Sequence, residues 1–401
     1  APALPFNRGR DDADVLREIF AQKVGTALRT LLPTGEAGSA PWRKGEGEGE
    51  ADGPERSAAG YLSLKVCVAA FPNVRVASEA VLASLPKPGS RPPLELFESP
   101  IWTTWARYKS AVSQPLCEAF AQDIVDRGFK GGVMEIDDRW QQRYGDAHFD
   151  PQKFPEPRKM VDKLHALGFR VTVWVMPFLE EQSAAFQEAR SKGLLIRSAA
   201  AADSEPAMIQ TWLEPKVGVL DVTNPAAVEW FVQRLRDLQE EVGLDGYKFD
   251  AGEPCFLPFG CFTYRPLRHP AEFTHLYVSQ VASHFPFGEV RSGFLTQQVP
   301  MFTRMGDKFS SFSVNNGLAS LIPTLLTSGI LGYPFVLPDM VGGNAYFLDM
   351  PTKELVVRWT QANALMPAIQ FSIVPWDLRE GSWWCARMLD RLPQPPRAEG
   401  A

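Results

Sequence analysis

The sequence predicts an α/β fold, a (β/α)8 or TIM barrel, from two observations. From residue 101 onward, short apolar runs alternate with amphipathic helical patterns, and such repetition implies a parallel sheet. Eight of these runs fall within a span close to the ~250 residues typical of a barrel. A doubly wound open sheet is the alternative, but no Gly-x-Gly-x-x-Gly motif follows the first run. We therefore expect the barrel.

The predicted elements follow one another regularly along the chain. The strand patterns cover 101–107, 132–138, 170–177, 246–251, 288–294, 301–307, 334–340 and 368–374. The helical patterns cover 115–128, 157–168, 225–242, 270–285, 316–328 and 352–366. The helix at 225–242 has the clearest boundaries, because Asn224 can cap it, Pro225 suits its first turn and Gly243 follows its end.

The chain divides into four segments of different composition. Residues 1–60 hold one helical pattern and a charged, Gly-rich run, GEGEGEADGPERSAAG, which predicts an atypical and partly disordered segment. Residues 61–100 predict an edge segment and a linker. Residues 101–377 contain the barrel pattern, and residues 378–401 form a C-terminal tail.

Composition excludes several classes of protein. A formal net charge of −6 leaves no excess of Lys and Arg to neutralise phosphates, so we expect no nucleic-acid partner. The five cysteines show no zinc spacing, and none of the five histidines ends a predicted strand, so no metal or organic cofactor is expected. Cys255 and Cys261 either form a disulfide or stay free. No stretch approaches the ~20 apolar residues of a membrane span.

Charged side chains gather where the predicted strands end, which is where barrels hold their reactive groups. Buried like charges are costly unless something requires them, so several carboxylates at one barrel mouth indicate a reactive site. The polar and aromatic residues at or near these ends are Asp137, Asp138, Trp174, Lys248, Asp250, Arg291, Arg304, Asp307 and Asp339.

Two carboxylates with aromatic walls suit glycoside cleavage, in which one ionised acid attacks and one protonated acid donates to the leaving oxygen. Lys248 and Arg291 are expected to keep Asp250 ionised. A less polar setting is expected to hold Asp307 protonated.

Structural interpretations compete with these roles. A single Asp at a strand end more often caps a helix or joins a loop ion pair, which is the role we assign to Asp221 and Asp339. Asp307 has the same alternative, because Lys308 and two serines follow it closely. Trp174 can be a core residue, and Arg304 a structural ion-pair partner.

Several segments resemble glycoside hydrolase family 31. GYKFDAGEP (246–254) resembles its nucleophile segment in the Lys-x-Asp-x-Gly-Glu branch. RSGFLTQQVPMFTRMGD (291–307) resembles its arginine followed sixteen residues later by the acid/base aspartate. GGVMEIDDRW, LPDMVGG and KELVVRWTQANALMP resemble its second-strand, seventh-strand and following-helix segments. The similarity covers residues 75–377.

The resemblance implies a retaining exo-α-glycosidase that hydrolyses terminal α-galactosides of an oligosaccharide or glycoconjugate. It also implies a location in the lumen of the endoplasmic reticulum, an N-terminal membrane anchor and a possible homodimer. Asp250 becomes the nucleophile and Asp307 the acid/base. The implied substrate-binding residues are Asp137, Trp174, Trp212, Lys248 and Arg291.

Departures from the family pattern leave alternatives open. Gln370-Phe371-Ser372 stands where many members carry an Arg-x-His that binds sugar hydroxyls. Residues 61–100 resemble only a remnant of the family's N-terminal β-domain, and its usual C-terminal β-domains do not follow, so we expect a truncated or mis-spliced chain. The alternatives are an α-xylosidase or α-glucosidase of the same family, or a catalytically impaired sugar-binding or scaffold protein.

Overall fold

A computed structural model describes residues 69–198, 205–213, 215–258, 260–346 and 350–378. The chain divides into one unit of residues 1–80 and one of residues 81–401. The predicted segment 1–60 lies outside the described residues, and of the predicted tail only Leu378 lies within them. Where an edge segment was expected, residues 69–100 instead contain the helices α1 (Val74–Ser84) and α2 (Glu95–Glu98).

The second unit contains the predicted barrel, built on an eight-stranded parallel sheet. Its strands are β1 (Ile101–Thr103), β2 (Gly132–Ile136), β3 (Phe169–Val175), β4 (Gly246–Phe249), β5 (Gly288–Val290), β6 (Phe302–Arg304), β7 (Val336–Leu337) and β8 (Gln370–Phe371). Their spatial order is β7-β6-β5-β4-β3-β2-β1-β8. A parallel bridge between Met340 and Gln370 joins the two outer strands, so the sheet is nearly closed. The predicted fold class is therefore confirmed.

Helices follow the strands as the sequence pattern predicts, with several shorter than expected. They are α3 (Trp105–Tyr108), α4 (Gln114–Asp126), α5 (Pro157–Ala166), α6 (Ala184–Ser191), α7 (Pro225–Val242), α8 (Glu272–Leu276), α9 (Leu321–Ile330) and α10 (Lys353–Asn363). The boundaries of α7 are those predicted. The Asn224 side chain accepts a hydrogen bond from the backbone N–H of Ala226, and Gly243 ends the helix with a φ of 82°.

Short antiparallel strands extend from the barrel mouth, and the sequence pattern did not predict them. Phe178–Glu180, Met208–Ile209 and Val217–Val219 form a three-stranded sheet after β3. Arg197–Ser198 pairs with Cys261–Phe262, which follows β4. The segments that contain these short strands place Trp212 and Phe256 beside the barrel mouth. Cys255 and Cys261 are both free.

The start of β4 packs closely against the backbone that precedes β5. Gly246 opens β4, and a Cβ there would lie 1.7 Å from the backbone oxygen of Phe287, so only glycine fits. All four residues of β4 are buried.

Among the described residues, no helix is both long and apolar enough to cross a membrane.

Candidate active site

The carboxyl ends of the barrel strands open into a cavity of about 540 Å³. All seven residues that the sequence predicted for the site line it: Asp137, Trp174, Trp212, Lys248, Asp250, Arg291 and Asp307. Asp138 and Arg304, also at predicted strand ends, line it too, and the structure adds six further lining residues: Trp105, Phe256, Phe309, Met340, Asn344 and Tyr346. The seven predicted residues therefore share one cavity, as the strand-end argument requires.

Asp250 follows β4 and is held by three donors. Its backbone N–H donates to the Val175 carbonyl at 2.8 Å, which fixes the chain at the mouth. Oδ1 accepts from Nη2 of Arg304 at 2.8 Å and from Nη1 of Arg291 at 3.3 Å. Oδ2 accepts from the indole Nε1 of Trp174 at 3.0 Å. Two guanidinium groups and an indole thus orient a nearly buried carboxyl group.

The turn after Asp250 requires glycine. Gly252 has a φ of 87°, and a Cβ there would lie 2.5 Å from the ring of Tyr277. Its carbonyl accepts from the Thr274 hydroxyl at 2.7 Å. Tyr277 begins a π-helical turn that continues α8. The turn therefore packs directly against this helix, and the helix supports the backbone behind Asp250.

Asp307 follows β6 and faces the same two arginines. Oδ1 accepts from Nη1 of Arg304 at 2.9 Å and from Nη1 of Arg291 at 3.3 Å, and Oδ2 accepts from the hydroxyl of Tyr346 at 2.7 Å. Burial alone would raise the pKa of Asp307, but the two guanidinium groups and the tyrosine hydroxyl outweigh it and hold that pKa below its usual range. The expectation of a less polar setting that keeps Asp307 protonated is wrong for this structure.

The two carboxyl groups lie close together. Both Oδ1 atoms are 3.3 Å from the same Nη1 of Arg291, so they are separated by no more than twice that distance. Retaining glycosidases separate their two carboxyl groups by about 5–5.5 Å, and inverting enzymes by about 6.5–9.5 Å. The limit set by Arg291 applies to one oxygen of each group, and it is compatible with the retaining arrangement.

Lys248 lies deeper than expected. Its ammonium donates to Oε1 of Glu135 and to Oδ2 of Asp137, both at 2.8 Å. Burial lowers the pKa of Lys248, but the neighbouring carboxylates outweigh it and raise that pKa well above its usual value. Of the two cations expected beside Asp250, Arg291 is there, whereas Arg304 takes the place of Lys248. Lys248 points into the barrel one layer below the mouth.

Arg304 lines the site, although the sequence pattern assigned it a structural role, whereas Asp339 is not a lining residue and has the loop ion-pair role predicted for it. The Arg304 side chain is only 3% exposed and reaches both Asp250 and Asp307. Asp339 is fully buried, and it accepts at 2.8 Å from the backbone N–H of Lys308 and from the Asn344 amide. Burial raises the pKa of Asp339 to about 6 although Arg304 opposes the shift. The position of Arg304 at a strand end is the sequence signal that places it at the mouth.

Aromatic side chains form the walls. Trp174 is buried, so it is both a core residue and the indole donor to Asp250. Trp212 is half exposed and packs edge-on against Phe256, with ring centroids 5.4 Å apart. On the other side, Trp105 donates from Nε1 to the Tyr346 hydroxyl at 3.3 Å. The cavity is therefore polar at its floor and aromatic at its rim.

The residues that replace the family's Arg-x-His are buried outside the cavity lining. Gln370 donates from Nε2 to Oε1 of Glu135 at 3.1 Å. The Ser372 hydroxyl accepts from the backbone N–H of Arg107 at 3.1 Å. Within the described ranges, no group of three or more His, Cys, Asp or Glu side chains is arranged to hold a metal ion.

Comparison with known proteins gives the family. Residues 100–373, more than half of the chain, match the glycosyl hydrolases family 31 TIM-barrel domain. The chain is 41% identical over 331 residues to the myogenesis-regulating glycosidase of Mus musculus, covering 80% of this chain and 46% of that protein. It is 34% identical over 157 residues to the α-xylosidase XylQ of Lactiplantibacillus pentosus, covering 38% and 20% respectively. This chain thus spans about half or less of the length of these relatives.

Solved structures share the fold at lower sequence identity. A cycloalternan-degrading enzyme from Trueperella pyogenes superposes with a TM-score of 0.63 at 20% identity, covering 78% of this chain and 49% of that one. A family 31 sulfoquinovosidase from E. rectale superposes with a TM-score of 0.61 at 22% identity, covering 73% and 45%. The chain therefore belongs to glycosyl hydrolase family 31, as its motifs predicted.

Proposed function

We propose that this chain carries the catalytic barrel of a retaining exo-α-glycosidase that hydrolyses terminal α-galactosides. The observation that carries the proposal is that Asp250 and Asp307, from non-adjacent strands, both contact Nη1 of Arg291 at 3.3 Å. Two carboxyl groups at this separation can act from opposite sides of one anomeric carbon, which is the requirement of double displacement.

In the first step, Asp250 is the nucleophile. An oxygen of its carboxylate attacks the anomeric carbon while Asp307 gives its proton to the leaving glycosidic oxygen. The step uses the protonated form of Asp307, which its lowered pKa makes the minor form in the free site. Arg291 and Arg304 donate hydrogen bonds to Oδ1 of Asp250 and so hold the attacking carboxylate in place. The Trp174 indole, 3.0 Å from Oδ2, orients the carboxylate.

In the second step, Asp307 is the base. It takes a proton from water, the water oxygen attacks the anomeric carbon, and the ester bond to Asp250 breaks. The product keeps the α configuration because two inversions have occurred. The arginine and tyrosine neighbours of Asp307 lower its pKa although burial opposes them. The lowered pKa favours the carboxylate form, which is the form that accepts a proton from water.

Recognition of a terminal sugar is assigned to the closed end of the cavity. Asp137 and Lys248 are nearly buried there and are already paired with each other at 2.8 Å, so they present a fixed acceptor and donor to sugar hydroxyls. Trp174 and Trp212 provide apolar faces for the ring. The burial of Asp137 and Lys248 at this end supports exo action, in which only the terminal residue enters.

The galactose preference is supported by the departure at 370–372. Many family members bind sugar hydroxyls with an Arg-x-His there, whereas Gln370 and Ser372 are fully buried and bonded to protein groups. The sugar hydroxyls that the Arg-x-His binds in those members must therefore be recognised by other residues in this chain. The α-xylosidase or α-glucosidase alternative is favoured by the likeness to an α-xylosidase. The location in the endoplasmic reticulum, the membrane anchor and the homodimer remain predictions.

A panel of para-nitrophenyl α-galactoside, α-glucoside and α-xyloside tests the proposal, with Asp250→Asn beside the unaltered chain. Asp245→Asn is the matched control, because Asp245 precedes β4 at the opposite end of the barrel and binds Arg170 and the Val171 backbone. We expect turnover of the α-galactoside that only Asp250→Asn abolishes. Sugar binding without turnover by the unaltered, folded chain would favour the sugar-binding or scaffold alternative.

A further inference from the structure

Arg304 lies at the centre of the buried charges beneath the cavity. Two of its nitrogens point toward the cavity, with Nη2 2.8 Å from Asp250 and Nη1 2.9 Å from Asp307. The opposite side of the guanidinium meets two deeper carboxyl groups, with Nε 3.0 Å from Glu289 and Nη1 3.5 Å from Asp339. An arginine that only stabilises the fold has no need to contact both mouth carboxyl groups.

The deeper carboxyl groups fix the orientation of Arg304. Glu289 lies on β5 and is 3% exposed, and Asp339 follows β7 and is fully buried. A guanidinium is a rigid planar fork, so ion-pair contacts at Nε and Nη1 favour one direction for the remaining N–H groups. Glu289 and Asp339 are therefore positioning residues that aim Arg304 at the mouth.

We propose that Arg304 is a further catalytic residue, a shared cation that pairs in turn with whichever of Asp250 and Asp307 is negatively charged. The inference rests on the function proposed above. In the form that reacts, Asp250 is the carboxylate and Asp307 holds the proton, although the free site favours the Asp307 carboxylate. When the bond to the anomeric carbon forms, Asp250 becomes a neutral ester and Asp307, having given its proton to the leaving oxygen, becomes the carboxylate.

The second step reverses this exchange. Asp307 takes the proton of the attacking water, and cleavage of the ester returns the electron pair and the negative charge to Asp250. One of the two mouth groups is thus anionic in every state of the cycle. Because a buried guanidinium is stable only when paired, a cation within 3 Å of both groups keeps the site balanced without moving.

The arrangement has a consequence for pH dependence. The charged and titratable groups around Asp307 are Arg304, Arg291 and Tyr346, with Asp250 and Asp339 on the far side of Arg304. An opposite charge within about 4–6 Å lowers the pKa of an aspartate by roughly 1–3 units. Removing the charge of Arg304 should therefore raise the pKa of Asp307. The alkaline limb of kcat/KM should move upward by about 1–3 pH units.

Three variants and two measurements test the role of Arg304. Arg304→Gln removes the charge and Arg304→Lys keeps it. The double variant Arg304→Gln/Glu289→Gln also replaces the buried carboxyl group that faces Nε of Arg304, so that this group is not left without its ion-pair partner. Arg143→Gln is the control, because Arg143 pairs with the buried Glu180 outside the cavity. The first measurement is kcat/KM for an α-galactosyl disaccharide as a function of pH.

The second measurement needs no turnover. Calorimetry follows binding of the cationic iminosugar 1-deoxygalactonojirimycin, which requires anionic carboxyl groups and weakens as pH falls through the pKa of Asp307. We expect both Gln variants to lose binding at a pH about 1–3 units higher than the unaltered chain. Arg304→Lys should shift less, and Arg143→Gln not at all.

The outcomes separate the two proposals. If Arg304→Gln does not fold, the double variant gives the answer. A uniform loss of rate and stability with both pH profiles unmoved would overturn the role of Arg304. Iminosugar binding without turnover by the unaltered chain would overturn the proposed function, while the binding profiles would still decide the role of Arg304. Neither binding nor turnover by a folded chain would overturn both.

Discussion

Replacing Tyr346 by phenylalanine should move the alkaline limb of the pH–rate profile upward by about 1–2 pH units. The Tyr346 hydroxyl donates to Oδ2 of Asp307 at 2.7 Å, and burial raises the pKa of Tyr346, so the hydroxyl keeps its proton. A hydrogen bond to a charged acceptor contributes about 1.5–3 kcal/mol. One pKa unit corresponds to about 1.4 kcal/mol, which converts that loss into about 1–2 units.

The sign follows from which form of Asp307 the hydroxyl stabilises. Tyr346 binds the carboxylate, so it contributes to the lowered pKa of Asp307. The first step requires the protonated acid, and the alkaline limb of kcat/KM reports its loss. Without the hydroxyl, Asp307 holds its proton to higher pH, and the limb rises. Substrates with poor leaving groups should show the shift most clearly, since they depend on protonation.

The assay is kcat/KM against pH for an α-galactosyl disaccharide and for para-nitrophenyl α-galactoside. Tyr333→Phe is the matched control, because the Tyr333 hydroxyl lies 3.3 Å from that of Thr296 and neither residue lines the cavity. An unmoved limb in Tyr346→Phe, or an equal shift in Tyr333→Phe, would refute the reasoning.

Three further substitutions have defined outcomes. Lys248→Met removes a buried cation from between two carboxylates and should lower the free energy of unfolding, measured by urea titration, by about 3–5 kcal/mol. The control is Arg170→Met at an exposed position, which should change that free energy by less than about 1 kcal/mol. Gly252→Ala places a Cβ 2.5 Å from the Tyr277 ring at a φ of 87° and should cost about 1–3 kcal/mol, seen as a lower melting temperature; an unchanged melt would contradict the contact. Trp212→Ala removes a half-exposed aromatic face and should raise KM with little change in kcat; a fall in kcat alone would assign Trp212 a different role.

Much of the fold follows from local pattern. Apolar runs of strand length and capped amphipathic helices repeat regularly, and only a parallel barrel or an open sheet satisfies that repetition. The helix α7 shows the strength of local signals, since its Asn224 cap and terminal Gly243 act as predicted. Strand-end position also brought Asp250 and Asp307 into one cavity, because all parallel strands end at the same side.

The partners of buried charges could not be predicted in the same way. Which carboxylate meets Lys248 depends on strand order and on depth within the barrel, and neither is encoded in the spacing along one strand. For the same reason the sequence could not predict the protonation state of Asp307. Its arginine and tyrosine neighbours come from the end of β5, from β6 and from the loop after β7. Tyr346 and Trp105 belong to no strand pattern, so only the three-dimensional arrangement reveals them.

Covalent trapping tests the assignment of the nucleophile most directly. The chain would be incubated with 5-fluoro-α-galactosyl fluoride, which slows both displacement steps, and its proteolytic peptides analysed by mass spectrometry. We predict a glycosyl label on the peptide that contains Asp250, carried by the Asp250 side chain and absent from Asp250→Asn. A label on Glu253 or Asp307, or equal labelling of Asp250→Asn, would contradict the proposed mechanism.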